Sequence, residues 1–531
     1  MSLLRNKYYY LYLTEFFAGM SMMAVELGAS RLLAPYFSSS QIVWTIIIGT
    51  IMIAMALGNV FGGRWADRDA NPALLYRRLI IAALWIACIP VLGKYFIVAI
   101  TGLLIVAVDT NLLTWAAFFA CLAIFVFPCF LLGTVTPSLV KYTVSSLDES
   151  GSTVGRLNAC NTIGSILGTF LPTFVTIPAW GTAVTFWLFA GILLALGLTY
   201  FLAAGTGRKA AAAALLAFAL LGWCGTRTGF AFWEDGLTYE GESIYNYLQV
   251  RDTEESTVFS TNVLFGVQSL RMKQGELTGM YYDYALAAPV LADVAAKTQP
   301  RILVLGMGTG TFADSCRRYF PQAEITGVEI DGKITELARQ YFALDRSIPV
   351  ATYDGRAYLA VDKGKYDVIM VDAYQDITIP FQMSSVEFFR LVREHLTEDG
   401  VLVVNMNMRD TSENSINLHL ADTIASVFPQ VATVDVQNGT NRELFAAMSD
   451  RPLRELPRRT QQLKSQPLRA HLSRVAAQMT TYKKGPRLLT DDRAPVELLS
   501  MQAIDGIIAR ELQYYRKVYQ EKGVDGILQG M

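Results

Sequence analysis

The feature that most constrains this chain is the uneven distribution of its charged residues. Residues 1–230 contain 13 Lys and Arg and 7 Asp and Glu, so about 9% of this part is charged. Residues 231–531 contain the other 32 basic and 39 acidic residues, about 24%, against about 25% in an average soluble protein. The contrast is typical of a membrane segment joined to a soluble domain. It excludes a single soluble globule, a disordered chain and a disulfide-rich secreted scaffold.

Long apolar stretches recur through the first part, and a membrane-spanning helix needs about 20 mostly apolar residues. We predict a multi-span α-helical membrane domain over 1–230, with about seven spans and a range of six to eight. The candidate spans are 9–33, 42–62, 78–107, 111–140, 157–177 and 182–204, with a weaker Ala-rich stretch at 210–225.

Basic residues between the spans indicate which side they face, because cytoplasmic loops are rich in Lys and Arg. The 63–78 segment has four Arg, and Arg5 and Lys7 precede the first span. We therefore expect a multi-pass protein of the inner membrane with this loop and the N-terminus inside. The soluble part lies outside if 210–225 spans. It lies inside if that stretch follows the interface, or if 78–107 crosses twice.

Two acidic residues lie within the first apolar stretch, where charged groups are costly and often functional. Glu15 and Glu26 are 11 residues apart, about three helical turns, so they share one helix face. They indicate either a polar pathway or cation site between helices, or a structural pairing such as Glu26 with Arg31.

The soluble part begins with short apolar runs separated by turn residues, which predicts a small β-strand unit over 236–298. A regular alternation of strands and helices follows over 299–450 and predicts a Rossmann-like α/β domain of the S-adenosylmethionine methyltransferase type. Residues 451–531 are predicted to form a mostly helical tail.

The chemistry-bearing residues follow the predicted parallel strands. Gly306, Gly308 and Gly310 come directly after the first strand, where glycines let a backbone approach a ligand closely. Glu329 ends the second strand, where a carboxylate can accept both hydroxyl protons of a ribose. Asp354 ends the third strand and Asp372 the fourth. This pattern predicts a nucleoside-containing co-substrate, and the GxGxG spacing favours an S-adenosyl ligand over a dinucleotide.

These motifs resemble the polyamine aminopropyltransferases, in particular bacterial proteins that fuse a multi-span membrane segment to a spermidine synthase-like domain. In the membrane part the resemblance rests on VELGASRLLAP at 25–35 and NTIGSILGTFLP at 161–172. In the soluble part it rests on ESIYNY at 242–247, YYDYALAAP at 281–289, VLGMGTG at 304–310, GVEID at 327–331, YDG at 353–355, YDVIMVDAY at 366–374, IPF at 379–381 and LTDDRAPVE at 489–497.

The resemblance implies transfer of an aminopropyl group from decarboxylated S-adenosylmethionine to a diamine, with release of methylthioadenosine. Asp372 matches the family's catalytic base and Tyr281 the tyrosine that orients the amine. Asp376 matches the carboxylate that holds a substrate ammonium. The implied co-substrate site contains the glycine loop with Thr309, the ribose carboxylate Glu329, and Asp354 with Gly355 at the adenine.

The sequence departs from the family pattern at several of these positions. Thr309 stands where the soluble enzymes have an aspartate that helps hold the aminopropyl ammonium. Tyr282 and Asn246 each replace a glutamine, and both remain candidate substrate-binding residues. Two other functions therefore stay open. One is an S-adenosylmethionine-dependent methyltransferase on the same fold. The other is a polyamine or lipid transporter whose soluble domain senses a nucleoside.

The expected partners are a diamine or polyamine substrate and a lipid bilayer, and a homodimer is a further possibility. The acidic soluble part argues against nucleic acid. No Cys or His spacing is typical of a metal site, so no metal is expected and the six Cys are interpreted as structural. Because the family's co-substrate is cytosolic, the catalytic domain is expected in the cytoplasm.

Overall fold

A computed structural model gives the fold in two compact units. It describes residues 7–108, 110–144, 150–234, 236–263, 267–275, 277–373, 379–407, 409–410, 412–437, 439–510 and 513. The first unit contains Met1–Asp235 together with Glu240–Tyr247 and Asn262–Leu264. The second contains Gly236–Tyr239, Leu248–Thr261 and Phe265–Met531.

The first unit is built from helices joined by short connections. They are α1 (Lys7–Phe37), α2 (Gln41–Arg68), α3 (Pro72–Ala107), α4 (Leu112–Gly133), α5 (Val135–Thr143), α6 (Ser150–Leu171), a π-helical turn (Pro172–Thr176), α7 (Ile177–Ala203) and α8 (Arg208–Gly225). In the described part of the chain, six helices are long and apolar enough to cross a membrane. These are Tyr8–Phe37, Gln41–Arg68, Pro72–Ile105, Leu112–Thr143, Ser150–Ala203 and Arg208–Gly225.

The longest of these helices, Ser150–Ala203, folds back on itself. Gly181 has φ +82° and ψ 170°, which interrupts the helix. The hydroxyl oxygens of Thr176 and Thr185, nine residues apart, are 2.8 Å from each other. A straight helix would separate these two residues by about 13 Å along its axis. The chain therefore passes through the helical unit twice between Ser150 and Ala203.

Contacts with α1 give the direction of the two passes. The Cβ positions of Gly164 and Gly168 would lie 2.0 Å from the carbonyl oxygens of Phe16 and Met20, so α1 and α6 run parallel and in close contact. The GxxxG at 164–168 is therefore a packing motif between these two helices. The hydroxyls of Tyr10 and Ser21 donate to carbonyls of Leu196 and Phe189, which makes α7 antiparallel to α1.

The structure bears on two alternatives that the sequence left open. The 78–107 stretch does not turn back, because α3 is one helix from Pro72 to Ala107. The 210–225 stretch packs antiparallel against α7 as α8. The rings of Trp187 and Phe218 stack with centroids 5.0 Å apart, and Gly222 lies against the same Trp187.

The second unit begins at a four-stranded sheet in the order β1-β2-β3-β4. The strands are β1 (Tyr239–Glu242), β2 (Tyr247–Asp252), β3 (Ser256–Ser260) and β4 (Ser269–Met272). The pairs β2–β3 and β3–β4 are antiparallel. Residues Glu240–Tyr247 cluster with the helical unit, so the boundary between the units runs through this predicted β-unit.

The centre of the second unit is an eight-stranded sheet with helices on both faces. The strands are β5 (Arg301–Leu305), β6 (Glu324–Glu329), β7 (Val350–Thr352), β8 (Tyr366–Val371), β9 (Leu396–Met406), β10 (Gln430–Asp435), β11 (Arg442–Ala447) and β12 (Thr480–Thr481). The helices are α9 (Tyr281–Ala285), α10 (Ala287–Leu291), α11 (Thr311–Tyr319), α12 (Gly332–Tyr341), α13 (Gly355–Val361), α14 (Val386–Glu394), α15 (Ile416–Ala425), α16 (Arg451–Gln461) and α17 (Gln466–Gln478), with 3-10 turns at Val294–Ala296 and Phe381–Met383 and a further helix over 496–510.

The strand order is β12-β10-β11-β9-β8-β5-β6-β7. Strands β7, β6, β5, β8 and β9 are parallel, and β11, β10 and β12 add antiparallel pairs at one edge. Counted from β5, the parallel strands have the order 3-2-1-4-5, which is the doubly wound Rossmann-like arrangement. The predicted α/β fold class is confirmed for this unit.

Alternate residues of each parallel strand enter different cores, because successive side chains point to opposite faces of a sheet. Ile302 and Val304 pack with α9, α10, α16 and α17, whereas Leu303 and Leu305 pack with α14 and α15. Burial of both faces explains why RILVL is apolar throughout. The residues after Arg451 also enter these cores, and β12 extends the sheet, so the predicted tail is integral to this unit.

Candidate active site

A glycine loop follows β5 and approaches the end of β8. Gly306, Gly308 and Gly310 have φ of +81°, +53° and +84°, a region in which side-chain-bearing residues are strained. An added Cβ on Gly306 would lie 2.4 Å from the carbonyl oxygen of Asp372. Glycine at 306 is therefore required for the two strand ends to meet.

Glu329 ends β6 and accepts hydrogen bonds from the glycine loop. Its Oε2 accepts from the backbone N–H of Gly308 at 2.8 Å, and its Oε1 from that of Asp331 at 3.0 Å. The side chain is buried, and burial raises its pKa to about 7. Two carboxylate oxygens held beside a glycine loop suit a bidentate contact to a diol.

Asp354 follows β7 and begins α13. Its Oδ1 caps the helix by accepting from the N–H of Ala357 at 2.8 Å. Gly355 is the first residue of α13, and its Cβ position lies 3.0 Å from Cε of Met383. The cap fixes the direction of the Asp354 carboxyl group at the same edge of the sheet as Glu329.

Asp372 comes directly after β8 and is held by two neutral donors. The Tyr281 hydroxyl donates to its Oδ2 at 2.6 Å, and Nδ2 of Asn405 donates to its Oδ1 at 2.8 Å. Burial raises the pKa of Asp372, while both hydrogen bonds lower it. Burial beside Asp372 also raises the pKa of the Tyr281 hydroxyl well above its usual range, so the tyrosine remains a donor.

The other predicted substrate residues differ in their placement. The Tyr282 ring lies with its centroid 4.0 Å from that of Tyr281, but its hydroxyl donates to the carbonyl of Gln268 at 2.6 Å. Asn246 lies in the turn between β1 and β2, where its carbonyl accepts from the N–H of Ser243, and it belongs to the helical unit. Asp376 lies outside the described residues.

Thr309, the glycine-loop residue that departs from the family, is buried. Its Oγ1 lies 3.3 Å from Oγ1 of Thr311 at the start of α11. A hydroxyl in this loop cannot neutralise an ammonium as a carboxylate would. A donor ammonium bound near Thr309 would need its negative partner from another residue.

Two polar residues of the site were missed by sequence reasoning. Asn405 lies in β9 and contacts Asp372, and Glu443 is paired with Asn405 in the β9–β11 register. Val401 and Val403 of β9 and Phe445 of β11 belong to one core. Since every second residue of a strand faces the same side, Asn405 and Glu443 lie on that face too. The sequence signal that could have found them was a polar residue next to apolar ones in each strand, Asn405 in VLVVNM and Glu443 in RELFAA.

Asp491, which follows the LT of the LTDDRAPVE motif, forms an ion pair with Arg356 of α13. Its carboxylate accepts from both terminal nitrogens of Arg356, at 2.7 and 2.6 Å, and from the Ser385 hydroxyl at 2.5 Å. The Arg356 guanidinium lowers the pKa of Asp491. This bidentate pair anchors the helix that begins with Asp354 and Gly355. Across the described ranges, no group of three or more His, Cys, Asp or Glu is placed to hold a metal ion.

The sequence is similar to a known family and to several known proteins. Residues 287–437 match the family model for the spermine/spermidine synthase domain. A "Probable polyamine aminopropyl transferase" of Bifidobacterium longum is 50% identical over 351 residues, covering 63% of this chain and 78% of the relative. A "Polyamine aminopropyltransferase" of Vibrio vulnificus is 28% identical over 300 residues, covering 54% of this chain and 98% of the relative.

Among solved structures, a probable spermidine synthase from Corynebacterium glutamicum covers 45% of this chain and 94% of its own, with 19% identity and a TM-score of 0.36. We draw nothing about function from a structural likeness of that size.

The fold and the glycine loop define a Rossmann-like α/β domain, and the matched family and relatives make the protein a transferase. On the strength of the Bifidobacterium relative, the chain belongs to the polyamine aminopropyltransferase, or spermidine synthase-like, family.

Proposed function

We propose that the protein is a membrane-bound polyamine aminopropyltransferase that transfers an aminopropyl group from decarboxylated S-adenosylmethionine to a diamine. The observation that carries the proposal is Asp372, which is held by Tyr281 and Asn405 directly beside the glycine loop of β5. The relatives' names support the same reaction.

In this reaction the acceptor nitrogen attacks the methylene carbon next to the sulfonium. A C–N bond forms, the C–S bond breaks with its electron pair passing to sulfur, and methylthioadenosine leaves. The sulfonium is already activated, so the protein's main tasks are to orient the two reactants and to remove a proton.

Asp372 is the proposed base. An amine with a pKa of about 10 is protonated at neutral pH and cannot attack until it loses a proton. Burial raises the pKa of Asp372, which makes its carboxylate a better proton acceptor. The hydrogen bonds from Tyr281 and Asn405 fix the carboxylate without supplying a competing positive charge.

The proposed donor site uses the ends of β5, β6 and β7. Glu329 accepts both ribose hydroxyls, Asp354 and Gly355 lie at the adenine, and Gly306, Gly308, Thr309 and Gly310 surround the sulfur side. Thr309 stands where the soluble enzymes of the family have an aspartate in the glycine loop. For this reason methyl transfer from ordinary S-adenosylmethionine remains the second candidate reaction.

The experiment is a product assay by mass spectrometry on detergent-purified full-length protein. Decarboxylated S-adenosylmethionine is offered with a panel of diamines and polyamines. We expect a product heavier by one aminopropyl group and an equal amount of methylthioadenosine. Asp372→Asn should abolish both, whereas Asp399→Asn, which removes a partly exposed surface pair with Arg451, should not. Absence of the product with every amine would contradict the proposal.

Apolar side chains on the outside of the helical unit support the membrane location. Met52 and Ile53 on α2 are 62% and 63% exposed, and Leu216 on α8 is 63% exposed. Large apolar areas on a soluble surface are rare, whereas lipid provides a matching environment. We therefore propose that this unit is embedded in the bacterial inner membrane.

The number of passes constrains which parts face the same side. The bend at Gly181 gives two passes in Ser150–Ala203, so the six long helices supply seven passes. An odd number puts the 63–78 loop and the residues after Gly225 on opposite sides of the bilayer. With seven passes, the loop and the catalytic unit cannot both face the cytoplasm. If the arginines keep the loop in the cytoplasm, the catalytic unit lies outside the cell. If the co-substrate is cytosolic, the catalytic unit lies in the cytoplasm and the loop lies outside.

Cysteines introduced singly on each side test this relation. Ala70→Cys lies in the basic loop and Glu336→Cys on an exposed position of α12. In intact cells, a membrane-impermeant thiol reagent should label one of the two variants and not the other, above the wild-type background. Equal labelling of both in intact cells would contradict seven passes.

A second candidate function is the movement of a cation through the helical unit, and it rests on Glu15. This fully buried carboxyl group accepts from Thr136 at 2.6 Å and from Asn161 at 2.9 Å through Oε1, while Oε2 has no hydrogen-bond partner in the described chain. If the unit transports polyamines, Glu15→Gln should abolish uptake of labelled spermidine into proteoliposomes, and Asp372→Asn should not. Equal uptake by wild type and protein-free liposomes would exclude transport.

A further inference from the structure

A second acidic side chain lies on the same sheet face as the base, beyond it in the strand order. Glu443 lies on β11, the strand after β9, and β9 in turn neighbours β8 with Asp372 at its end. Adjacent strands are about 4.8 Å apart, so two strand spacings, roughly 10 Å, separate the backbones of Asp372 and Glu443. The glycine loop and Glu329 lie on the other side of β8.

The two carboxyl groups face the same space. Val368 and Met370 of β8, Val403 of β9 and Phe445 of β11 all belong to one core. By the alternation of each strand, Asp372, Asn405 and Glu443 continue that face. Tyr281 and Tyr282 of α9 belong to the same core, and α9 contacts both β9 and β11.

Glu443 lacks the contacts that a structural carboxylate needs. It is fully buried, and neither Oε1 nor Oε2 has a hydrogen-bond partner within the described ranges. No Lys or Arg there forms an ion pair with it. By contrast, the equally buried Asp422 accepts from Tyr482, Gly485 and Arg487. A buried polar group without a hydrogen-bond partner is unfavourable and calls for an explanation, of which a ligand that supplies the partner is one.

We propose that Glu443 binds the second ammonium group of the acceptor diamine, the one that does not react. The inference rests on the proposed aminopropyl transfer and specifies its acceptor as a short α,ω-diamine. The reacting nitrogen lies at Asp372 next to the donor, the carbon chain follows the tyrosine rings of α9, and the far ammonium reaches β11. A cation there also gives Glu443 the partner that the protein does not provide.

The test compares acceptors that differ only in the second amine. Putrescine and butylamine are offered to the full-length protein with decarboxylated S-adenosylmethionine, and methylthioadenosine release is followed. We expect Glu443→Gln to lower kcat/KM for putrescine about ten- to a hundredfold, the range for losing a hydrogen bond to a charged group, mainly through KM. The slower reaction of butylamine should stay within about twofold of the wild-type value. Glu398→Gln, the same change at an exposed position of β9, should leave both unchanged.

A second variant tests the position of the carboxylate at residue 443 rather than the folding of the protein. Glu443→Asp keeps the charge and shortens the side chain by one methylene, so the preferred diamine should shift from putrescine toward cadaverine. An effect of equal size on putrescine and butylamine would overturn the inference, as would no change in either variant. The inference would also be overturned if only Asp376→Asn lost the preference for putrescine over butylamine. That result would assign the second ammonium of the diamine to Asp376. If the wild type releases no methylthioadenosine with any amine, the proposed function itself fails.

Discussion

The two halves of the candidate active site are built differently. On the donor side, Glu329 accepts two backbone N–H groups and Asp354 caps a helix, so both carboxyl groups have partners within their own βα units. On the acceptor side, Asp372 depends on side chains from α9 and β9, and Glu443 has no partner among the described residues. The proposed donor site is therefore held by local structure, whereas the proposed acceptor site depends on contacts between distant parts of the chain.

The largest expected effect is at the base. Asp372→Asn removes the proton acceptor, and we expect kcat to fall about 10²–10⁴-fold, the usual contribution of general base catalysis. Binding of decarboxylated S-adenosylmethionine, measured by calorimetry, should change little because the donor contacts remain. A variant that loses donor binding as well would show that the two halves are not separable.

The glycine loop tests how strictly the donor side is preformed. Gly306→Ala puts a Cβ 2.4 Å from the carbonyl oxygen of Asp372 at a φ of +81°. We expect a destabilisation of about 1–3 kcal/mol and loss of donor binding. Thermal denaturation with and without methylthioadenosine measures both. Gly439→Ala, whose Cβ would have its nearest neighbour at 3.5 Å, is the matched control and should behave as wild type.

Glu329→Gln should change the Michaelis constant for the donor and not the one for the acceptor. The amide keeps the shape but can accept through only one oxygen, so the KM for the donor should rise about tenfold or more. The KM for the diamine and kcat should change little. Similar increases in both Michaelis constants would contradict the assignment of Glu329 to the ribose.

Tyr281→Phe should weaken the acceptor side. The lost 2.6 Å hydrogen bond stabilises the charged form of Asp372, so the pKa of that carboxyl group should rise further. We expect kcat to fall about two- to tenfold, and the acidic limb of its pH profile to move to higher pH. A reduced kcat with an unshifted limb would mean that the tyrosine acts on something other than Asp372.

The smallest expected effect is a pH dependence of donor binding. Burial raises the pKa of Glu329 to about 7, so the group is largely protonated at pH 6 and ionised at pH 8. If the carboxylate accepts both ribose hydroxyls, as proposed, the donor KM should fall as pH rises through 7.

The raised pKa of Glu329 has the opposite effect on the stability of the fold, which should decrease as pH rises. Since the folded pKa exceeds the unfolded value, the folded state binds more protons between pH 4.5 and 7, so this group's contribution to stability is lost as pH rises through that range. Both trends should be absent in Glu329→Gln.

The order of the sequence was enough to group four candidate site residues, for a physical reason. Parallel strands place the residues that follow them along one edge, so Gly306, Glu329, Asp354 and Asp372 were expected together, and the structure puts them at that edge. Glu443 could not be grouped in this way. It is the second residue of an antiparallel strand, and only the register with Asn405 puts it on the face of Asp372.

In the helical unit, hydropathy identified the apolar segments but not their packing. The separate candidate spans 157–177 and 182–204 predicted a break near Gly181, where the chain reverses, but not how the two passes pack. The antiparallel pairing of α7 and α8 depends on contacts such as Trp187 with Phe218, which no periodicity encodes.

The most direct test of the central claim is a competition between the two possible co-substrates. Full-length protein receives equal concentrations of decarboxylated and ordinary S-adenosylmethionine with putrescine, and both nucleoside by-products are quantified. Aminopropyl transfer predicts methylthioadenosine in amounts equal to the spermidine formed, no adenosylhomocysteine, and loss of both products in Asp372→Asn. Accumulation of adenosylhomocysteine with a methylated product would contradict it and establish a methyltransferase.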